Sequence, residues 1–271
     1  MQVKVLTCEP EDNRIAEAVR LSSSDVGIKF VDAYGIHHHR SRSVDPYEVG
    51  LRKLYEGAVN GLVAGATIAL SEFLPLVFSI FNTSRKERLL YSAAPVEPLS
   101  GSAFLLVDPC VNLSPDPREL AFMAQGAAEL YVALYAKADP LVAVLSHATG
   151  SYRHHRDRRA ASVVEELKRD GRIEVSEAIM QLDAAISVEA ARRKAADTSK
   201  LPNVLLCTDV GVANAVYKTL EMFGRPKVNL SGAVMMGLNQ GLIGLLPRTC
   251  ETKDIRRLFL NLGRALQVLQ R

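Results

Sequence analysis

The sequence contains no tryptophan, only 8 Tyr and 8 Phe, and no bias towards one charge: 33 Lys and Arg stand against 30 Asp and Glu, a formal net charge of +3. Nucleic-acid binders concentrate a basic face and interleave it with aromatic platforms. Neither is visible, so nucleic acid is not an expected partner. The four cysteines, Cys8, Cys110, Cys207 and Cys250, are scattered and form no C-x-x-C pair. That supports neither a zinc site nor a disulfide framework, and it fits a reduced, cytoplasmic compartment. The opening MQVKVLTCEPEDNR reads as a short strand and an acidic turn rather than a signal peptide. Also missing are a G-x-G-x-x-G turn, a P-loop, the acidic-glycine turn of S-adenosylmethionine Rossmann enzymes and a G-x-S-x-G elbow.

Long apolar runs are scarce too. From Val59 to Phe81 the only strongly polar side chains are Asn60 and Glu72. A bilayer span needs about 20 such residues. Gly61, Gly65 and Pro75 argue instead for a strand, a glycine turn and a buried helix, so no membrane partner is expected.

What is present is an alternation. The 271 residues, 48 % apolar and 23 % charged, have ordinary globular composition and length for about two domains. Short β-branched runs predict strands over 3–6, 27–31, 61–64, 88–93, 103–107, 141–145, 204–207 and 227–235. Helical periodicity is clearest over 116–137, 156–170, 183–197, 212–223 and 252–270. In the last of these, Ile255, Leu258, Phe259, Leu262, Leu266 and Leu269 form one apolar stripe, opposite Arg256, Arg257, Asn261 and Arg264. Near-continuous apolar strands alternating with helices predict an α/β fold: two α/β domains with mostly parallel sheets. We expect residues 1–107 plus 241–271 in one domain and 108–240 in the other. Ligands of such sheets bind beyond the carboxyl ends of strands, so the polar residues that follow strands are the candidates.

The histidines of GIHHHRSR (36–43), with His154 and His155, suit a solvated basic loop better than a metal, because neighbouring strand residues face opposite ways. No metal site is expected. His147, and Ser146 before it, follow the apolar run LVAVL and are better placed. Gly65 and Thr67 follow GLVA, where bare backbone can approach a ligand. Asp108 and Asn112 follow the strand ending in FLLV. Asp209 follows VLLC, and the helix after it carries Asn214, Tyr217 and Lys218. Helix starts of this kind favour anions such as phosphate. Finally, LLPRTCETKDI (245–255) puts Arg248 in a turn and Asp254 six residues later at a helix start. Each of these, taken alone, is also explained by helix capping.

Together, GLVAGAT (61–67), DPCVNLSPD (108–116), QLDAAIS (181–187), EAARRKAAD (189–197), TDVGVANAVYK (208–218) and PRTCETKDI (247–255) resemble, in order, the phosphate acetyl- and butyryltransferase family. The resemblance covers roughly residues 60–271. It implies two α/β domains with a cleft between them, isocitrate dehydrogenase-like in architecture, and a homodimer. It also implies acyl transfer between coenzyme A, as a substrate rather than a bound cofactor, and inorganic phosphate. Asp254 would be the base for the thiol, and Arg248 would hold a small anionic substrate. Gly65, Thr67, Asp108, Asn112, Ser146, Asp209, Asn214 and Lys218 would be substrate contacts. Four departures stand out: Pro247 replaces the family's Ser before the Arg, Thr249 a Gly after it, Leu74 an Arg before Pro75, and Ala213 a Gly. The chain's shortness and eroded phosphate site also resemble a divergent archaeal branch, the X subunit of a methanogen methyltransferase. That likeness implies an accessory protein of methyl metabolism that binds without acyl transfer.

Overall fold

A computed structural model of the chain describes residues 3–9, 11–22, 27–32, 45–81, 89–136, 139–150, 157–176, 178–197 and 199–269. The histidines His37–His39 and His154–His155 lie outside them. Two compact units divide the chain, Met1–Leu90 with Leu230–Arg271, and Tyr91–Asn229.

The first unit begins with β1 (Val3–Thr7), α1 (Asn13–Ser22), β2 (Ile28–Asp32), α2 (Pro46–Tyr55), β3 (Gly61–Ala64) and α3 (Leu70–Phe81). The second contains β4 (Tyr91–Pro98), β5 (Phe104–Val107), α4 (Pro117–Leu134), β6 (Leu141–Leu145), α5 (Arg158–Asp170), β7 (Glu174–Val175), α6 (Leu182–Ile186), α7 (Val188–Arg193), β8 (Val204–Cys207) and α8 (Val210–Phe223), and all of β9 (Val228–Leu230) but its last residue. The chain then returns to the first unit with β10 (Ala233–Met236), β11 (Leu242–Leu245) and α9 (Thr252–Leu269).

In the first unit the strand order is β2-β1-β3-β11-β10, parallel except for β10 against β11. In the second it is β4-β5-β8-β6-β7, parallel except for β4 against β5. The mostly parallel α/β expectation therefore holds. The unit boundaries fall at 90/91 and 229/230, not at 107/108 and 240/241. Pairing explains this: β4 lies beside β5 with Ala93 opposite Val107, and β10 beside β11 with Ala233 opposite Leu245.

Local chemistry accounts for the element ends. Asp45 accepts from the Tyr47 amide at the start of α2, with Pro46 in the first turn. Asp116 and Glu119 form a reciprocal capping box on α4. Helix α5 stops at Gly171, whose φ of 69° suits a left-handed cap. The apolar segment 59–81 resolves into β3, a turn and the 12-residue α3. At 1.5 Å per residue that helix is about 18 Å long. No described helix is long and apolar enough to cross a membrane.

The α9 stripe is buried from Ile255 to Leu266, with Ile255, Leu258, Phe259 and Leu262 fully inaccessible and Phe259 against Phe30 at 4.7 Å between ring centroids. Burying such side chains contributes about 2 kcal/mol each. Asn261, expected on the solvent face, is buried instead and donates from Nδ2 to Ser231 Oγ at 3.1 Å.

Candidate functional site

In the first unit the turns after β1, β3 and β11 meet at the shared carboxyl edge of these parallel strands. Gly65 has φ 113°, and a Cβ there would lie 2.4 Å from the Leu246 carbonyl oxygen, so only glycine lets the β3–α3 turn approach the end of β11 this closely. The backbone amides of that turn do not face an open ligand site. Glu9, buried just beyond β1, fills them. Its Oε1 accepts from the amides of Gly65 at 3.2 Å, Thr67 at 2.8 Å and Ile68 at 3.3 Å, and its Oε2 from Ala66 at 3.0 Å. The hydroxyls of Thr67, at 3.0 Å, and Tyr47, at 2.9 Å, also donate to Oε1. Burial pushes the Tyr47 hydroxyl well above its usual value, so it stays a protonated donor. Gly65 and Thr67 are thus brought to the strand edge as expected, but their donors serve Glu9.

Arg248 sits exposed in the turn after β11, and among the described residues no ion pair engages its guanidinium. Its carbonyl oxygen accepts from Arg14 Nη1 at 2.9 Å, as does that of Cys250. Arg14 Nη2 also donates to the Ala66 carbonyl at 3.2 Å. Asp12 holds this guanidinium in a two-pronged pair, 3.0 Å from Nε and 2.6 Å from Nη2. Arg14 in turn holds the Asp12 carboxyl below the usual carboxylate range. Asp254 is buried in the first turn of α9, where its Oδ2 accepts from the Glu251 amide at 2.9 Å. It is a helix-capping group as well as a candidate base. Burial pushes the neighbouring Cys250 thiol up to about 11.

In the second unit the residues after β5 and β8 form another group. Asp108 has φ 46°, unusual for a residue with a side chain, and its buried carboxylate is taken up internally. Oδ1 accepts from the Ser92 amide and hydroxyl and the Val111 amide, at 3.1, 3.0 and 3.2 Å. Oδ2 accepts from the Asn112 amide at 2.9 Å and its Nδ2 at 2.8 Å. Desolvation raises the Asp108 pKa, opposed by these bonds. Asp108 and Asn112 therefore meet each other and shape the turn. Asp209 caps α8 by accepting from Val212 at 3.1 Å. Asn214 donates to the Pro109 carbonyl at 3.0 Å, tying α8 to the Asp108 turn, and exposed Lys218 pairs with buried Glu221 at 2.7 Å. Ser146 follows β6, whose Leu145 lies opposite Cys207 at the end of β8; its hydroxyl donates to buried Asp157 at 2.7 Å, beside His147 Nδ1 at 3.1 Å.

The residues the sequence reading missed are Glu9, Arg14 and Tyr47. The available signal was position: Glu9 follows an apolar strand just as Gly65, Asp108 and Asp209 do. Among the described residues no cluster of three or more His, Cys, Asp or Glu could hold a metal ion.

A family model described as Phosphate acetyl/butaryl transferase matches residues 5–260. The chain belongs to this family. Among curated relatives, a phosphate acetyltransferase of Thermoanaerobacterium thermosaccharolyticum is 31% identical over 217 residues, 76% of this chain and 64% of that enzyme. The chain thus spans less than two thirds of that relative's length. One from Clostridium acetobutylicum is 28% identical over 240 residues, 83% of this chain and 71% of that enzyme. Two solved structures share the fold. A phosphotransacetylase from Streptococcus pyogenes has a TM-score of 0.77 at 18% identity, covering 100% of this chain and 95% of that one. A branched-chain phosphotransacylase from Enterococcus faecalis has a TM-score of 0.76 at 20% identity, covering 97% and 98%. The family match begins at residue 5, so the Glu9–Arg14 segment belongs to the family region, beyond the 60–271 stretch that carried the resemblance.

Proposed function

We propose that this chain is a phosphate acyltransferase that moves an acyl group between the thiol of coenzyme A and inorganic phosphate. The observation that carries the reading is Arg248, exposed at the carboxyl edge of β11 with no ion pair among the described residues, six residues before Asp254 and inside a family match over residues 5–260. In the direction that forms acyl-coenzyme A, Asp254 takes the thiol proton and the sulfur attacks the carbonyl carbon of an acyl phosphate. The tetrahedral intermediate then collapses with loss of phosphate, whose charge Arg248 neutralises. A thiol of pKa about 8.5 needs such a base for fast attack. Asp254 also caps α9 by accepting from the Glu251 amide, so the proposal assigns it both roles. Asp209, Asn214 and Lys218 belong to the proposal as further substrate contacts, and a homodimer as the assembly, which sedimentation tests.

Pro247 offers no hydroxyl beside Arg248 and Leu74 no charge, so transfer is expected to run about 10²-fold or more below a site with both groups. The assay is release of free thiol from acyl-coenzyme A mixed with phosphate. We expect slow, phosphate-dependent release that falls a further ~10²-fold in Arg248→Ala. Absence of release, with Arg248→Ala indistinguishable from the parent, refutes the reading.

The same two replacements favour a second reading, a protein that binds its ligand without turnover, as an accessory of methyl metabolism would. It predicts thermal stabilisation by coenzyme A, phosphate or a corrinoid with no thiol release. A ligand at 100 times its dissociation constant adds about 2.7 kcal/mol. No shift with any of the three excludes it.

A further inference from the structure

Four successive amides, Gly65 to Ile68, converge at a strand-to-helix turn in the way that oxyanion seats are built. Here the seat already holds an anion, the Glu9 carboxylate, with the Thr67 and Tyr47 hydroxyls closing over it. Five residues later Arg14 grips the other side of the same turn at the Ala66 carbonyl, and the turn of Arg248 at the carbonyls of Arg248 and Cys250. The segment from Glu9 to Arg14 therefore fixes both turns from one place. We propose that Glu9 is a specificity-determining residue: a built-in anion that occupies the strand-end oxyanion seat, denies it to phosphate and leaves Arg248 as the phosphate-binding group of this unit. The role assigned to Arg248 rests on the acyltransferase reading. The occupied seat does not.

The chemistry makes a specific demand. Removing the carboxylate while keeping the turn exposes four unsatisfied donors, which a small anion of the right shape should refill. If the amides are not a preformed seat, the turn collapses without Glu9 and acetate refills it no better than chloride. The test compares melting temperatures of the parent, Glu9→Ala, Arg248→Ala and the double variant in acetate, in inorganic phosphate, and in chloride at equal ionic strength. Acetate at roughly ten times its dissociation constant should raise Tm of Glu9→Ala by about 3 °C and leave the parent unmoved. The phosphate shift of the parent should vanish in Arg248→Ala and reappear in the double variant, whose emptied seat takes the ion. A double variant that neither acetate nor phosphate stabilises beyond chloride overturns the proposal. A parent with no Arg248-dependent phosphate shift counts against the acyltransferase reading alone, since the acetate response of Glu9→Ala is independent of it. Should Glu9→Ala fail to fold, amide exchange in the parent decides: Ala66 and Thr67 should exchange at least about 100-fold more slowly than an open turn. Exchange at open-turn rates overturns the proposal.

Discussion

Replacing Gly65 with alanine tests the close approach on which the first unit's site depends. Its φ of 113° lies where side-chain-bearing residues are strained, and a Cβ would stand 2.4 Å from the Leu246 carbonyl oxygen and 3.0 Å from its nitrogen. The dihedral alone costs on the order of 1–3 kcal/mol. The collision is with backbone, so it cannot be relieved by a side-chain rotation. Either β11's exit or the turn must move, and moving the turn lengthens the bonds from Gly65, Ala66 and Thr67 to Glu9. A further ~2 kcal/mol is a modest figure for this. A total of about 3–5 kcal/mol corresponds to a fall in Tm of roughly 6–15 °C for a unit of this size. Gly27→Ala, in the same unit with φ 60° and nothing closer than 4.0 Å, isolates the dihedral cost. Gly101→Ala, with φ 110° and nothing within 4 Å, matches the angle in the other unit. Urea unfolding followed by probes in each unit measures all three. If Gly65→Ala costs no more than the two controls, the close approach is not what requires glycine, and the reasoning fails.

Asp12 sets an acid limit. Its folded pKa lies below the ordinary 3.8, so the Arg14 pair contributes stability above that value and loses it as pH falls through the folded pKa. The urea midpoint of Asp12→Asn should lie below the parent's at pH 5 and converge with it towards about pH 2. A gap that stays constant across this window refutes the assignment. The thiols should be inert: burial raises Cys110 and Cys207 to about 12 and Cys250 to about 11, and raises Cys8 as well. At pH 8 the thiolate fraction at the first three is then about 10⁻³ to 10⁻⁴. A disulfide reagent should label them only on unfolding, and fast labelling of any of the four in the folded protein contradicts this. A lysine at position 14 keeps the charge but loses the two-pronged geometry. Arg14→Lys should therefore raise the KM for phosphate more than it lowers kcat, and a change in kcat alone would mean that Arg14 does not hold the Arg248 turn.

The elements legible in the letters were those whose apolar pattern is local. The runs 61–64, 141–145 and 204–207 are strands at the expected bounds, and the α9 stripe is buried from Ile255 to Leu266. Misreadings fall where one residue or a distant partner decides. The helix expected over 183–197 splits at Ser187, whose extended backbone (φ −135°) lets its side chain cap a second helix. The run 227–235 breaks at Gly232, φ 81°, where a Cβ would meet the Leu245 carbonyl at 2.3 Å. The strand expected over 88–93 lies at 91–98, because its two prolines and Glu97 hide a strand that pairing with β5 enforces. β11 went unread because LIGL is short and carries Gly244, whose missing Cβ admits Leu258.

The same division separates the chemistry. Strand-end position and spacing are properties of the one-dimensional chain, and they marked Arg248, Asp254 and the turns after β3, β5 and β8. The partner each polar group takes depends on atoms brought from far along the chain. Glu9 reaches the amides at 65–68, and Arg14 the carbonyls at 248 and 250, across separations that no periodicity encodes. The amino-acid order thus fixed the strand–helix alternation and where polar turns fall. Folding alone decided which of those turns is already filled by the protein's own carboxylate and which cation is left facing solvent, because hydrogen-bond satisfaction is settled only among groups that meet in space.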